Sequence, residues 1–392
     1  MNAKSRMRTC RASFSYSIST NPFPHSLVPY ALLEDPGGRA QAERERGTSR
    51  SAASISRKVP YMSTLVSVLR STGARLREPG VWEAWTPHKE PIPAAHPRGE
   101  SCVFAPWPRR SKALAKVPQR LCLRNVSSDL LSADVKKGHL QPECVNLVEL
   151  FDWPLYRPGW AARMTGPDKD ALDAVAAAEF STRSIAFDFG ANIGLCTLAL
   201  LLHSNASVVA FEPNPINLYH LTRSLQHVAK EFPDIVRRVV VYPLGVGEAD
   251  ATRLSCMNPG NGGDSVVAES NCRAGAGSTG AALDAAPQTV TVRRLDALFS
   301  PSLAERVRIV KMDVQGYECR ILDSDGGGVL GSVHAIHAES EPPGLVRTGC
   351  SVSGLRTRLA SGGKRWVKWT ATGPSGHGVM VARRGGAPSC CS

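Results

Sequence analysis

A short apolar run that stops at an acid and a glycine-rich turn constrains the fold of this chain most. The run IAFDFGANIG occupies residues 185–194. Ile185–Phe187 reads as a buried strand, and the glycines after Asp188 let the backbone bend sharply and a ligand approach closely. The apolar stretch Leu195–Leu202 predicts a buried helix whose N-terminus faces that ligand. Taken alone, the run fits any α/β protein whose strands end in Asp or Gly.

Two further runs end in a carboxylate in the same way. VVAFEPNP places Glu212 after the strand Ser207–Phe211, and VKMDVQGYE places Asp313 after the strand Arg308–Met312. Glu212 follows Asp188 by 24 residues, close to the spacing of about 20 at which an acid accepts hydrogen bonds from a ribose. Ligands of parallel sheets bind beyond the carboxyl ends of the strands. The three runs therefore predict one cofactor crevice.

The remaining pattern predicts an α/β fold with a mainly parallel sheet and helices on both faces. Residues 257–288 are rich in Gly, Ala and Ser and lack periodicity, which predicts an enlarged loop on the ligand side. Further predicted elements are the helices Asp168–Glu179, Pro215–Lys230 and Gln315–Leu322, the strands Arg237–Tyr242, Thr289–Val292 and Val333–Ala338, and a closing antiparallel pair, Arg365–Thr370 and Gly378–Ala382.

The glycine pattern distinguishes between cofactors. A dinucleotide site has G-x-G-x-x-G, in which a helix N-terminus meets a pyrophosphate. This turn reads D-x-G-A-N-x-G, with Asp188 just ahead of it. A carboxylate there would repel a pyrophosphate but suit a cationic amino-acid headgroup, so S-adenosylmethionine fits this charge logic better than NAD.

DFGANIG, AFEPNP, the pair Leu295–Asp296 and KMDVQGYE together resemble the signature of the FkbM-type methyltransferases. The resemblance covers roughly residues 184–383, about half of the chain. It implies a Rossmann-like seven-stranded methyltransferase sheet, mostly parallel with one antiparallel strand, and S-adenosylmethionine as methyl donor. It also implies O-methylation of a hydroxyl on a sugar, glycan or small metabolite. By motif position, the methionine part of the donor would be lined by Asp188, Gly190, Asn192 and Gly194, and its ribose end by Glu212, Pro213 and Asn214.

The catalytic candidates are acids at strand ends. A hydroxyl is a poor nucleophile at neutral pH and needs a base or a metal. We expect Asp313 to act as base or to orient the acceptor, because its strand adjoins the donor site, and Glu339 to stand at the rim. Glu318 is expected to support the turn, and His337 to be a packed core residue. Two carboxylates without a local ligand cluster do not predict a metal site.

One departure from the family pattern concerns Gln315, because the family motif D-V-E-G-Y-E has Glu at this position. Side-chain shape is nearly kept, but a charge is lost. A second hypothesis is therefore a methyltransferase-like binding or scaffold protein with weakened catalysis. A third, a nicotinamide-dependent Rossmann oxidoreductase, is opposed by the glycine pattern.

The net positive charge is concentrated in the first third of the chain. Residues 1–140 hold 23 of the 47 Lys and Arg and 10 of the 34 Asp and Glu, so the whole formal charge of +13 lies there. The neutral remainder argues against a nucleic-acid groove. We expect residues 1–140 to be a basic, low-complexity, largely disordered extension, with a possible transit peptide in 1–60 and a linker between Glu78 and Arg120. A methyltransferase domain over 141–385 and a short tail, 386–392, follow.

No stretch of the sequence is apolar enough to cross a membrane: the longest such run, Leu195–Leu202, has 8 residues, against the roughly 20 required. The chain has 11 cysteines, an odd number, and no CxxC pair. This pattern predicts neither a disulfide framework nor a structural zinc site and favours a reducing compartment, cytoplasmic or organellar. The expected partner is a small-molecule or glycan acceptor, and the oligomeric state cannot be read from the sequence.

Overall fold

The computed structural model describes residues 64–99, 101–106, 120–125, 129–139, 141–152, 184–204, 206–258, 261–269, 272, 287–326, 328–361, 365–371 and 378–384. The possible transit peptide, the helix expected at 168–179 and the tail at 386–392 lie outside these ranges. Within them, no helix is both long and apolar enough to cross a membrane.

Seven strands form the central sheet. Their order across the sheet is β14-β15-β13-β12-β5-β6-β7. Five of them, β13, β12, β5, β6 and β7, are parallel, and β15 runs antiparallel to both of its neighbours. The Rossmann-like methyltransferase sheet, mostly parallel with one antiparallel strand, is therefore confirmed. The strands are β5 (Ile185–Phe189), β6 (Ser207–Phe211), β7 (Val239–Tyr242), β12 (Val307–Met312), β13 (Ala335–Ser340), β14 (Arg365–Ala371) and β15 (Gly378–Arg384).

Helices cover both faces of this sheet. Alternate residues of its strands face opposite sides, and apolar side chains on both sides are buried against helices. Ala186 and Ile309 belong to one buried cluster with α3 and α4, and Phe187 and Val310 belong to the other with α1 and α10. The helices are α1 (Leu65–Ser71), α2 (Leu130–Lys136), α3 (Pro142–Asp152), α4 (Leu195–His203), α5 (Pro215–Glu231), α6 (Ile235–Arg238), α7 (Leu295–Leu298), α8 (Glu318–Asp323), α9 (Pro342–Arg347) and α10 (Val352–Ser361), with 3-10 turns at Pro301–Arg306 and Leu330–Ser332.

A smaller sheet occupies part of the region expected to be an enlarged loop. Its order is β10-β9-β11-β8, formed by β8 (Gly245–Val246), β9 (Ala251–Asn258), β10 (Asn261–Ala268) and β11 (Gln288–Arg293). The expected loop is therefore wrong for β10, which pairs with β9 through a register shift between Asn261 and Val266. Glycines and an irregular register hide the alternation that marks a strand. Residues 273–286 lie outside the described ranges.

The described residues before α3 pack on the sheet and on α5. Trp85 exchanges two backbone hydrogen bonds with Val241 at the sheet edge, 2.7 and 2.9 Å long, and its side chain is buried. A two-stranded ribbon, β1 (Arg77–Glu78) with β2 (Trp82–Glu83), contributes Trp82 to the buried cluster that contains Phe187. A hairpin, β3 (Val103–Pro106) with β4 (Arg120–Leu123), belongs to the other cluster, with Ala186. This packing differs from the linker expected between Glu78 and Arg120. A few large buried side chains, such as Trp82 and Trp85, hold this region in place. Their spacing follows no periodic pattern, so the sequence does not predict the packing.

Eight of the cysteines form four disulfides: Cys102–Cys122, Cys144–Cys196, Cys256–Cys272 and Cys319–Cys350. The expectation that the cysteine pattern forms no disulfide framework is therefore wrong. The partners are 16 to 52 residues apart in the sequence. Pairing at such separations depends on tertiary packing and cannot be deduced from spacing alone.

Candidate active site

The glycine turn lies where β5 gives way to α4, against the end of β12. Gly190 has φ +76°, and a Cβ on it would meet the backbone oxygen of Asp313 at 1.9 Å. Only glycine fits here, because it tolerates positive φ and leaves room for the neighbouring backbone. The amides of Gly190 and Ala191 both donate to the carbonyl of Phe211, at 3.0 Å. These contacts tie the turn to the ends of both adjacent strands.

Glu212 is buried at the end of β6 and binds the turn directly. Its Oε2 accepts from the Asn192 amide at 2.7 Å, and its Oε1 accepts from the Asn214 amide at 2.9 Å and from Nδ2 of Asn217 at 3.2 Å. Burial raises the pKa of Glu212, an effect that these donors partly oppose. Asn192 adopts φ +54°, a conformation that is uncommon outside glycine and recurs at functional sites.

Arg124, just after β4, connects the hairpin β3–β4 to this turn. Its guanidinium pairs with Asp129 at 2.7 Å, donates to Oδ1 of Asn192 at 2.5 Å, and donates to Oδ1 of Asn217. The side chain is 3% exposed. The amides that contact Glu212 are therefore held from behind by a buried cation.

Lys311 occupies the centre of an acidic cluster. It lies beside Asp188 in register on the neighbouring strand, and its Nζ is 3.3 Å from both Asp188 and Asp313 and donates to the Gly190 carbonyl at 3.0 Å. Burial would lower the pKa of Lys311, but Asp313 and Asp188 together raise it. Asp188 is fully buried and also accepts from Thr197 at 2.6 Å. Its charge is thus neutralised beneath the turn.

Gln315 joins the two catalytic candidates. Its Nε2 donates to Asp313 at 2.9 Å and to Glu339 at 3.1 Å, and its backbone has φ +55°. The Asp313 charge, followed by burial, raises the pKa of Glu339 well above its usual range. Burial opposes ionisation of Asp313, yet Lys311 and the hydrogen bonds lower its pKa. Asp313 is therefore the stronger acid of the pair, and Glu339 is the one that binds a proton first as the pH falls.

A third carboxylate, Glu143, comes from the first turn of α3, which packs against β12 and α4. A Glu143 oxygen lies within 4.8 Å of both sulfurs of the Cys144–Cys196 disulfide. Burial and the Asp313 charge, partly opposed by Lys311, raise the pKa of Glu143 to about 7. This acid titrates near neutrality beside the cluster.

Two other polar residues have structural roles. Oε1 of Glu318 accepts from the amides of Val314 and Gly316, at 3.2 and 3.4 Å, and so supports the turn as expected. Burial raises the pKa of Glu318 to about 7. His337 is 3% exposed, and burial, followed by the Lys311 charge, lowers its pKa to about 4. It is a packed, neutral side chain on the sheet.

One cleft lies at the carboxyl ends of these strands, and its empty volume is about 660 Å³ with its open mouth included. Six of the nine site residues expected from the sequence line it, and three, Asp188, Gly194 and Glu339, do not. Asp188 is buried below the turn, Gly194 packs against Leu221, and Glu339 reaches the cleft through Gln315. The six lining residues are Gly190, Asn192, Glu212, Pro213, Asn214 and Asp313.

A family comparison agrees with this arrangement. Residues 188–341 match the methyltransferase FkbM domain, a segment that runs from Asp188 at the glycine turn to Glu341 just beyond β13. Over this segment the chain is similar to the FkbM methyltransferases. The match includes every expected site residue, and Arg124 and Glu143 lie before it.

Solved structures with a similar fold include several methyltransferases. The FkbM methyltransferase of Methylobacillus flagellatus is 15% identical with a TM-score of 0.34, over 64% of this chain and 65% of its own. TYW2 of P. horikoshii, solved with MeSAdo, is 11% identical with a TM-score of 0.30, over 68% and 67%. The SAH-bound PaMTH1 of Podospora anserina is 14% identical with a TM-score of 0.25, over 65% and 94%. The chain thus spans just under two thirds of the Methylobacillus protein. No curated protein sequence matches it.

Several residues around the FkbM cleft were not expected from the sequence. Asn217 lies one helical turn after Asn214, and Leu244 and Val246 follow β7 at the same edge of the sheet. The strand-end rule that finds Glu212 would also have found Leu244, because β7 is parallel to β6. No local signal marks Arg124 or Glu143, which reach the site from outside the domain motif.

Proposed function

We propose that this chain is an S-adenosylmethionine-dependent methyltransferase that methylates a hydroxyl on a sugar, glycan or small metabolite. One observation supports this proposal most directly: Glu212, the glycine turn and Asp313 line one cleft within the segment that matches the FkbM domain. Glu212 suits a ribose, and Asp313 lies at the other side of the turn, where Gln315 links it to Glu339.

The cleft fits the donor in shape and chemistry. Gly190 leaves a cradle that a Cβ would fill. Oε2 of Glu212 accepts one hydrogen bond, from the Asn192 amide, and so can accept a second from a ribose hydroxyl. Leu244, Val246 and Val292 supply an apolar wall for a flat base. Asp188 would act indirectly, by anchoring Lys311 and the turn, because its carboxylate is buried.

S-adenosylmethionine, when bound, supplies an electrophilic methyl group. The protein then has to align the acceptor oxygen, exclude water and take up one proton. Asp313, held as an anion by Lys311, would accept a hydrogen bond from the acceptor hydroxyl and orient it. Asp313, which lines the cleft, would also be the base that takes up the hydroxyl proton. Glu339 would accept a hydrogen bond from Gln315, whose side-chain amide also donates to Asp313 and so holds it in place.

A second candidate function is a methyltransferase-like scaffold, and Gln315 is the observation that favours it. Its amide bridges Asp313 and Glu339, so the family carboxylate is replaced without leaving either acid unpartnered. A nicotinamide-dependent oxidoreductase remains the minor alternative. Calorimetric titration of the full chain with S-adenosylmethionine and with NAD separates it from the methyltransferase, because only one of the two should bind.

Donor binding is tested by Glu212→Gln, with Glu305→Gln as the matched control because Glu305 is exposed on a 3-10 turn. We expect Glu212→Gln to weaken donor binding at least tenfold and Glu305→Gln to leave it unchanged. Equal binding by both variants would contradict the assignment of this cleft.

Turnover is tested by incubating the chain with methyl-labelled donor and a panel of sugars, glycans and hydroxylated metabolites. Products should gain the mass of one methylene group, and Gln315→Glu should be tested beside the native chain. Donor binding without turnover in either protein would favour the scaffold.

Two further proposals concern the limits and the location of the domain. The functional domain includes residues before 141, because Arg124 supplies part of the site. A cytoplasmic or organellar location stays a proposal, and disulfides are rare in reducing compartments. Alkylation of the cysteines in fresh cell extract, read by mass spectrometry, would show which pairs are oxidised where the protein works.

A further inference from the structure

Two cysteines and a histidine converge between the hairpin β3–β4 and α5. Sγ of Cys122 lies 3.2 Å from Nδ1 of His220, and Cys102 is bonded to Cys122. One ligand atom from each of the three lies within 4.8 Å of the others. Cys122 and His220 are completely buried. They come from separate elements: Cys102 precedes β3, Cys122 is on β4, and His220 is on α5.

This cysteine pair differs from the other three. Among the described residues it is the pair with a histidine in ligand range, whereas Cys144–Cys196 has a glutamate there and the remaining two have no such group. A disulfide needs no imidazole beside it. The buried Nε2 of His220 has no hydrogen-bond partner in the described structure, and a disulfide sulfur is at best a weak acceptor for Nδ1. Buried polar groups are normally satisfied, so hydrogen bonding alone does not explain this histidine.

A second imidazole packs beside this group. The ring of His96 is 5.4 Å from that of His220, centroid to centroid, in a T-shaped arrangement. His96 is not among the residues whose ligand atoms lie within 4.8 Å of one another, so it borders the group as a neighbour of His220.

From these positions we propose that Cys102, Cys122 and His220 bind one Zn²⁺ when the two cysteines are reduced, with water as the fourth ligand. Zinc sites with three protein ligands and a water are a known arrangement, and two thiolates with one imidazole are one of their ligand sets. Zinc bonds of about 2.3 Å to sulfur and 2.0 Å to nitrogen at tetrahedral angles separate sulfur from nitrogen by about 3.5 Å, close to the 3.2 Å between Cys122 and His220. The two sulfurs must move apart, to about 3.8 Å.

The disulfide in the structure is then the oxidised, metal-free form of the same site. A disulfide oxidant such as oxidised glutathione takes the two electrons of the thiolate pair. The sulfurs of Cys102 and Cys122 form their bond, Zn²⁺ leaves, and the oxidant takes up two protons to become two thiols. The site would fasten the hairpin β3–β4 to α5, two residues before Arg124.

The test uses the full chain, reduced without oxygen and given a slight excess of Zn²⁺ or Co²⁺. We expect one Zn²⁺ per chain after gel filtration, by mass-spectrometric metal analysis. Co²⁺ should give the intense visible bands of a tetrahedral site and thiolate charge-transfer bands in the near ultraviolet. Cys102→Ser/Cys122→Ser should lose the metal, and Cys256→Ser/Cys272→Ser, whose pair has no histidine nearby, should keep it.

A second measurement on the native chain avoids variants that fold poorly. Zn²⁺ should slow alkylation of Cys102 and Cys122 at least tenfold, read peptide by peptide, and leave Cys256 and Cys272 unaffected. A fully reduced chain that retains no metal, or alkylation of Cys102 and Cys122 at the same rate with and without Zn²⁺, overturns the proposal. So does retention of one Zn²⁺ by Cys102→Ser/Cys122→Ser. None of these readouts involves methyl transfer.

Discussion

The ammonium group of Lys311 lies 3.3 Å from the carboxylate of Asp188, and both side chains are almost completely buried. The two residues stand opposite each other on β12 and β5. The same ammonium group reaches Asp313 at the end of its own strand. One lysine therefore connects the acid below the glycine turn with the acid at the cleft.

Lys311→Met should destabilise the fold strongly. Removing one partner of a buried ion pair leaves an uncompensated charge and costs about 3–5 kcal/mol of unfolding free energy, and here Asp188 is left with only Thr197 as a side-chain partner. Urea unfolding followed by circular dichroism measures the loss. Lys89→Met is the control, because Lys89 pairs with Glu83 on the surface and should matter little. Equal midpoints for the two variants would contradict the role of Lys311.

Glu318→Gln should change how stability depends on pH. The pKa of Glu318 is about 7 in the folded chain against an ordinary 4.5, so folding favours the protonated acid. Native stability should therefore fall as pH rises from 4.5 to 7, and the penalty is fully present above 7. At about 1.4 kcal/mol per pKa unit, the penalty is on the order of 3 kcal/mol.

Glutamine keeps an oxygen for the amides of Val314 and Gly316 but carries no charge, so Glu318→Gln should be the more stable protein at pH 8 and lose its advantage near pH 4. Thermal unfolding across this range, with Glu305→Gln as an exposed control, provides the measurement. Parallel stability curves for Glu318→Gln and the native chain would show that Glu318 is not held in its protonated form.

Local patterns in the sequence predict the sheet and part of the cleft. Runs such as Ser207–Phe211 are apolar, bounded and followed by an acid, and parallel strands bring their carboxyl ends to one edge. Glu212 and Asp313 therefore meet as expected. The local sequence does not determine the direction in which an acidic side chain points. Asp188 was expected to face the ligand, but the register of β12 places Lys311 beside it and the pair is buried.

Contributions from distant segments could not be predicted. Arg124 lies 68 residues before Asn192, and nothing around it in the sequence marks a site. The same holds for the cysteine pairs, since eight cysteines alone permit about a hundred connectivities. The strand β10 is hidden for a different reason: glycine-rich residues pair through an irregular register, so their sequence lacks alternation.

Arg124→Met should weaken donor binding by about tenfold or more. Its guanidinium holds the side-chain amides of Asn192 and Asn217, whose backbone and side-chain N–H groups position Glu212. Hydrogen bonds to a charged group contribute about 1.5–3 kcal/mol each, and a tenfold change in affinity corresponds to about 1.4 kcal/mol. Calorimetry with S-adenosylmethionine measures the change, with the exposed Arg70→Met as control.

Arg124→Lys separates positioning from folding. Lysine keeps the charge opposite Asp129, so the fold should survive, but its single ammonium group lacks the planar fork that reaches both amides. We expect a stable protein with weakened donor binding. If Arg124→Lys binds S-adenosylmethionine as tightly as the native chain does, the two amides need no support from the Arg124 guanidinium.

Gly190→Ala should abolish donor binding and destabilise the domain, because the new Cβ would lie 1.9 Å from the backbone oxygen of Asp313. The residue also has φ +76°, which costs an alanine about 1–2 kcal/mol even without a clash. Gly331→Ala is the matched control, since a Cβ there meets nothing within 4 Å. Thermal unfolding should show a clear loss for the first variant and almost none for the second. If Gly190→Ala binds S-adenosylmethionine as the native chain does, the turn is not the cradle of the donor, and the close approach to Asp313 has only a structural role.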